Sequence, residues 1–291
     1  MRFMVVVLWM LHWLPLPVLG RIGRVLGALA YHFLKERRGI TLINLRLCFP
    51  DKTEAERVRL AKSHFQLYGR SVVERGILWW SSAARIKRLM HVVPAFPMEE
   101  VRAGPVIFLC PHFVCLEIPG VLLTFHATGC SIYTRQRNAL ADRMLKQGRT
   151  RFNTDSILVP RRAGIKPIIR ALRKNMPFYM LPDMDFGLQD AEFVPFFGIP
   201  TATLVAPARI AHATHAKIVP VVPTFLPDYQ GWLVTYYPPW ENDPAVSVAE
   251  VAHRMNRFIE ERVSEHPAEY WWTHRRFKSR PQGEPGFYET R

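Results

Sequence analysis

The stretch GPVIFLCPHFVCLE, residues 104–117, is where the periodicity of the chain changes. Val106 to Cys110 is a short, unbroken apolar run, the pattern of a strand buried on both faces. Pro111 interrupts it, and helical spacing follows from residue 115. The same alternation recurs downstream. Further strands are predicted at Ser131 to Tyr133, Ile157 to Val159, Phe178 to Leu181, Ile218 to Phe225 and Leu233 to Tyr237, with helices over residues 115–128, 138–149, 164–174, 203–213 and 246–264. Strands separated by helical segments of this length imply crossover connections. The expected fold is therefore α/β, with a mostly parallel central sheet covered by helices. Such sheets bind ligands beyond the carboxyl ends of their strands, so the loops after Cys110, Tyr133, Val159, Leu181 and Phe225 are where a site is sought.

Upstream, Thr53 followed by Glu56 reads as a capping box opening a long amphipathic helix to about Trp80, with a solvated polar face. Gly23 and Gly27 stand four apart on a predicted helix, a spacing that usually reflects ordinary packing. Between Phe3 and Leu19 there is no Asp, Glu, Lys or Arg. This run is barely long enough to span a bilayer, and Pro15 and Pro17 are expected to end its helix early. Arg21 and Arg24, between the run and a possible cleavage site at Ala28 to Ala30, argue against a signal peptide. A retained anchor or an interfacial helix over residues 1–20 is expected. The cations that follow it place the rest of the chain on the cytoplasmic side.

The chain has 291 residues, 49% of them hydrophobic, which is ample for a buried core and excludes wholesale disorder. Its net charge is +15, and of its 39 basic residues nine are lysine and 30 arginine. Guanidinium suits phosphate and carboxylate, so an anionic partner is expected. Four cysteines, three of them between residues 110 and 130, are too few and too clustered for a disulfide framework and indicate a reducing compartment.

Several loops carry candidate chemistry. In PHFVCLE, His112 and Glu117 are five residues apart, about 140° on a continuous helix. They can meet only if His112 lies in the loop while Glu117 reaches back from the helix. A carboxylate on one ring nitrogen would then leave the other as a general base. Cys110, His112 and Cys115 do not follow a common zinc spacing and read better as inert buried thiols beside a loop histidine. PDMDFG, residues 182–187, pairs Asp183 with Asp185 as D-x-D, which fits a metal-dependent glycosyltransferase or a simple Asx turn. Arg135, Arg137, Arg149, Arg151, Arg161 and Arg162 follow strands or helices and are candidate phosphate ligands. In FVPFFGIPTATLVAP, residues 193–207, Gly198, Thr201 and Thr203 precede an expected helix start able to hold an anion or to be capped by a threonine. The segment YWWTHRRFKSRP, residues 270–281, mixes aromatics with cations, as a nucleic-acid surface or a headgroup-level membrane surface does.

These stretches resemble, in order and spacing, the late acyltransferases of lipid A biosynthesis, the lauroyl and myristoyl transferases of Gram-negative bacteria. The resemblance rests on NLRLCFP at 44–50, PHFVCLE, GRTRFN at 148–153, PDMDFG, FVPFFG and WWTHRRFKSRP, with IVPVVPTF at 218–225 resembling the proline-containing strand of the wider H-x4-D/E glycerolipid acyltransferases. It implies a glycerolipid-acyltransferase-like fold behind an inner-membrane anchor, with the enzyme on the cytoplasmic face. Residues 21–291 would then form one acyltransferase domain: a helical lead-in at 21–100, a catalytic core at 101–266 and a basic aromatic tail at 267–291. It further implies transfer of an acyl chain from acyl carrier protein to a hydroxyl of a lipid A precursor, without a metal or other cofactor, the alternative being a related acyltransferase acting on another membrane lipid acceptor. His112 would be the base, Glu117 its orienting partner, and Arg149 and Asp183 further catalytic residues. Arg135, Arg161, Asp185 and Thr201 would contact substrate. Nucleic acid is not an expected partner, and the sequence assigns no oligomeric state.

Overall fold

In the computed structural model, which describes residues 2–243 and 245–288, the chain opens with five helices: α1 (Arg2–Leu11), α2 (Leu16–Phe33), α3 (Lys35–Cys48), α4 (Glu54–Trp80) and α5 (Ala83–Leu89). Strand β1 (Met90–Val93) and helix α6 (Met98–Ala103) lead into β2 (Val106–Leu109), α7 (Glu117–His126), β3 (Cys130–Tyr133), α8 (Ala139–Arg149), β4 (Ile157–Pro160), α9 (Lys166–Leu172) and β5 (Phe178–Met180). A hairpin of β6 (Ala191–Phe196) and β7 (Ile199–Leu204) follows, then α10 (Ala206–Thr214), β8 (Lys217–Phe225), β9 (Trp232–Tyr236) and α11 (Val248–Glu265).

Seven strands form one sheet in the order β1-β9-β8-β2-β5-β3-β4, and every junction is parallel except β8 with β9. This is the expected α/β architecture with a mostly parallel sheet. Alternation along β2 divides the core: Val106, Phe108 and Cys110 pack with α4 and α7 on one face, while Ile107 and Leu109 pack with α9, α10 and α11 on the other. All four residues of β2 are buried, which is why its sequence is an uninterrupted apolar run.

The apolar amino terminus does not form one long helix. α1 ends at a turn through His12, Trp13 and Leu14, where the Arg85 guanidinium donates to the carbonyls of His12 and Leu14 at 2.5 Å each, and Pro15 precedes α2. No helix among the described residues is long and apolar enough to cross a membrane, so the anchor expected over residues 1–20 has no spanning helix. Instead α2 lies against α4. Gly23 and Gly27 meet Gly69 so closely that a Cβ on Gly27 would fall 2.1 Å from the Phe65 carbonyl oxygen and one on Gly69 2.3 Å from that of Gly23. The glycine pair is thus intramolecular packing. α1, α2 and the turn between them expose large apolar residues, including Trp9 at 47%, Trp13 in the turn at 70%, Leu26 at 50% and Phe33 at 78%.

The capping box of Thr53 and Glu56 opens α4 as expected. Its polar side is not all solvated, however. Arg70 and Glu74 are buried, paired at 2.5 Å, and Glu74 also accepts from the Trp232 indole at 2.7 Å. The first part of the carboxyl-terminal tail likewise enters the core: Trp272, Arg276 and Phe277 are among the most buried side chains, while residues 282–285 are exposed. Within the aromatic and basic segment read as a nucleic-acid or headgroup surface, Tyr270, Trp272, Thr273, Arg276 and Phe277 are therefore core, while Arg275 and Lys278 remain exposed.

Candidate active site

β2 and β5 are neighbours in parallel register, Leu109 opposite Met180. Three residues beyond each partner stand His112 and Asp183, so the loops after the two strands bring these side chains together. The Asp183 carboxylate accepts from the His112 backbone amide at 3.0 Å and lies 2.6 Å from ring nitrogen Nδ1. Both residues are buried. Burial pushes the Asp183 carboxyl up, but the charge and hydrogen bonds of His112 outweigh it and hold the group below its ordinary value. An ionised acceptor on Nδ1 fixes the proton there and leaves Nε2 as the basic nitrogen.

Glu117, in the first turn of α7, is turned to a different partner. Arg149, the last residue of α8, donates to it through Nε at 2.9 Å and Nη2 at 2.6 Å, a bidentate pair. Burial raises the Glu117 carboxyl, yet Arg149, with a further contribution from Arg75, brings it down to about 2. The expected His112–Glu117 dyad is therefore not formed. On the short path from a loop to the first helical turn, Glu117 meets the α8 guanidinium, and Asp183 already occupies Nδ1 of His112.

His112, Glu117 and Arg149 all line one cleft of about 490 Å³. Its walls are mostly apolar, with Val5 and Leu8 of α1, Trp79 of α4, Met144 and Leu145 of α8, and Met184 and Trp271 among them. A long hydrocarbon next to a reactive polar centre fits such a cleft. The arrangement can take a proton from a nucleophile at Nε2 and offer a fixed guanidinium to developing negative charge.

A family model described as bacterial lipid A biosynthesis acyltransferase matches residues 1–279. The chain belongs to this family. It is 33% identical over 285 residues to the lipid A biosynthesis lauroyltransferase of Escherichia coli K12, covering 97% of this chain and 92% of that protein. Its identity to the lipid A biosynthesis myristoyltransferase of the same organism is 31% over 271 residues, covering 92% and 82%. Among solved structures, the 1-acyl-sn-glycerophosphate acyltransferase PlsC of Thermotoga maritima is similar with a TM-score of 0.39 and 14% identity, covering 83% of this chain and 96% of that one.

In this lipid A acyltransferase family member the remaining predicted residues fall outside the centre. Asp185 accepts from Ser279 N at 2.6 Å, Ser279 Oγ at 2.9 Å and Gly187 N at 2.9 Å, and its own amide donates to His274 Nε2 at 3.0 Å. It fastens the tail rather than contacting the cleft. The two aspartates of PDMDFG thus serve His112 and the tail separately and do not converge on one ion, which removes the geometry the glycosyltransferase reading requires. Thr201 is fully buried in β7 and donates to the Ile199 carbonyl at 2.8 Å, so it is not free to bind substrate. The segment around it is a hairpin rather than an anion-binding helix start: Phe197 and Gly198 turn at positive φ of 49° and 75°, and Val194 pairs with Thr201. Arg135 is exposed after β3, and Arg161 is exposed after β4 with its guanidinium 4.1 Å from the centre of the Phe186 ring. Neither lines the cleft. The four cysteines are free and buried, and burial pushes the Cys110, Cys115 and Cys130 thiols up, as inert core thiols require.

Sequence reasoning missed Arg75, Met184 and Trp271 as cleft residues. Met184 and Trp271 lay inside quoted motifs. Arg75 lay on a helix face read as solvated, and no local signal marks it.

Proposed function

We propose that this acyltransferase moves a fatty acyl chain from the thioester of acyl carrier protein to a hydroxyl on a hydroxyacyl chain of a lipid A precursor. The observation that carries the reading is His112, held by Asp183 at 2.6 Å, facing an apolar cleft of about 490 Å³. Nε2 of His112 takes the acceptor hydroxyl proton as that oxygen attacks the thioester carbonyl carbon. A C–O bond forms and the carbonyl becomes a tetrahedral oxyanion. The amides of His112, Phe113, Val114 and Leu116 already donate within the protein, so Arg149, held by Glu117, is the donor assigned to the oxyanion. On collapse the C–S bond breaks, and the leaving thiolate receives the proton from His112. No acyl-enzyme and no cofactor enter.

The reactants suit the charge: carrier protein is acidic, the acceptor carries phosphates, and the protein's net charge is +15. With no spanning helix among the described residues, the apolar outward faces of α1 and α2 support seating in the plane of the inner membrane's cytoplasmic leaflet. Purified protein in detergent is to be given acyl carrier protein loaded with several chain lengths and a tetraacylated lipid A precursor, with His112→Ala as control. A mass gain of one acyl chain, lost in the control, is the expected result. No gain with any donor would overturn the acceptor assignment.

A further inference from the structure

A second apolar cleft lies beside the first. Of about 380 Å³, it is lined by Ala30 of α2, Leu34 between α2 and α3, Phe65 and Tyr68 of α4, and His274, and Arg37 stands among its lining residues. The two clefts share two lining residues, Met184 and Trp271. Trp271 is well placed as a partition. Its backbone amide donates to the His112 carbonyl at 2.9 Å, its ring is centred 6.0 Å from the His112 imidazole, and Tyr68 packs edge-on to it at 5.3 Å. Met184 directly follows Asp183. The first cleft therefore reaches the imidazole, and the second lies behind a wall of two side chains, Met184 and Trp271.

Direct transfer, as read in the preceding section and on which this inference rests, requires two hydrocarbon chains near His112 at once: the chain that moves and the chain whose hydroxyl receives it. A single apolar cleft cannot keep two chains apart, and here there are two. Their surroundings differ. The first cleft is lined by Gln136 and by α8, where Arg135, Arg137 and Arg143 are exposed, a basic rim suited to an acidic soluble carrier. Leu34 of the second cleft, just past the end of α2, is exposed at 50%, as are Leu29 and Phe33 of α2 at 48% and 78%, so a lipid chain reaches it along an apolar surface. Arg37 donates to the Thr273 carbonyl at 3.2 Å through one nitrogen, and the side chain is otherwise exposed beside Lys35, a fit for a lipid phosphate.

We propose that the cleft behind Trp271 holds a hydrocarbon chain of the lipid acceptor, with an acceptor phosphate on Arg37, while the cleft in front of His112 holds the chain being transferred. Trp271 is then a positioning residue that keeps the two chains on opposite sides of its indole, with the base on the donor side.

The test is a KM split measured with acyl carrier protein donor and tetraacylated lipid A precursor. Ala30→Phe fills the second cleft and is expected to raise the acceptor KM by about tenfold or more, with donor KM unchanged. Ala141→Phe, which fills only the first cleft, is expected to raise the donor KM instead. Should Ala30→Phe fail to fold, Leu34→Asn at the exposed rim is expected to move acceptor KM in the same direction. A rise in donor KM on altering Ala30 or Leu34, or no change in either constant while the wild type transfers normally, would overturn the inference. A wild type that transfers to no lipid A precursor would instead overturn the functional reading itself.

Discussion

Asp183 and Glu117 are both buried carboxylates beside the same cleft, one bonded to an imidazole at 2.6 Å and the other to a guanidinium at 2.6 and 2.9 Å. Guanidinium never releases its proton under working conditions, so the Glu117–Arg149 pair is a fixed dipole whose use is position and charge. Imidazole does exchange a proton, so the same kind of acid facing His112 fixes a tautomer and, in the mechanism proposed above, is assigned to steady the imidazolium. Residue type alone does not separate these roles. What separates them is which element each carboxylate grows from: a loop in register with the histidine's strand, or a helix facing α8.

The largest way to break this contrast is to remove the base. His112→Ala is expected to lower kcat by about 10⁴-fold with the thermal midpoint little changed, measured by mass spectrometry of the acylated product. Asp183→Asn keeps the volume but not the ionised acceptor, and is expected to cost about 10³-fold in kcat. Glu117→Gln leaves the base and its partner intact while loosening Arg149, for an expected loss of about 10²-fold.

Glu117 also makes the comparison visible in stability. Its carboxyl lies at about 2 in the folded protein against an ordinary 4.5, so the pair stabilises the fold above roughly pH 4.5, and that contribution fades as pH falls toward 2. Denaturant unfolding of Glu117→Gln should show its deficit against wild type in full at neutral pH and a shrinking deficit below about pH 4.5. The smallest catalytic effect is expected at the other aspartate of PDMDFG. Asp185→Asn should lower stability by about 1–3 kcal/mol through the loosened Ser279 contacts while changing kcat by no more than about threefold.

Much of the architecture was legible because it is encoded locally. The apolar run before Pro111, the Thr53–Glu56 box and the spacing of the later helices lead to the elements observed, to within a few residues. The β6–β7 hairpin was not legible: Pro195 and Pro200 argue against a strand, and here they face each other across a turn at Phe197–Gly198. β1 is four residues long and joins the sheet edge only through β9, far along the chain. His112 was recognisable as a loop histidine at a strand end, but its partner was assigned to the acid nearest in sequence. Choosing Asp183 requires knowing that β2 and β5 are adjacent and that Leu109 stands opposite Met180, facts of topology that no local pattern carries. The same holds for the tail, whose cations read as surface until Arg276 is seen to donate to the Ala202 carbonyl at 2.9 Å inside the core.

The central claim is that Asp183, not Glu117, orients the catalytic base. Single-turnover acyl transfer at saturating donor and acceptor, run side by side on Asp183→Asn and Glu117→Gln, tests it most directly. The account predicts a rate about tenfold or more lower for the Asp183 variant than for the Glu117 variant. Wild-type rate in Asp183→Asn, with transfer abolished in Glu117→Gln, would contradict it.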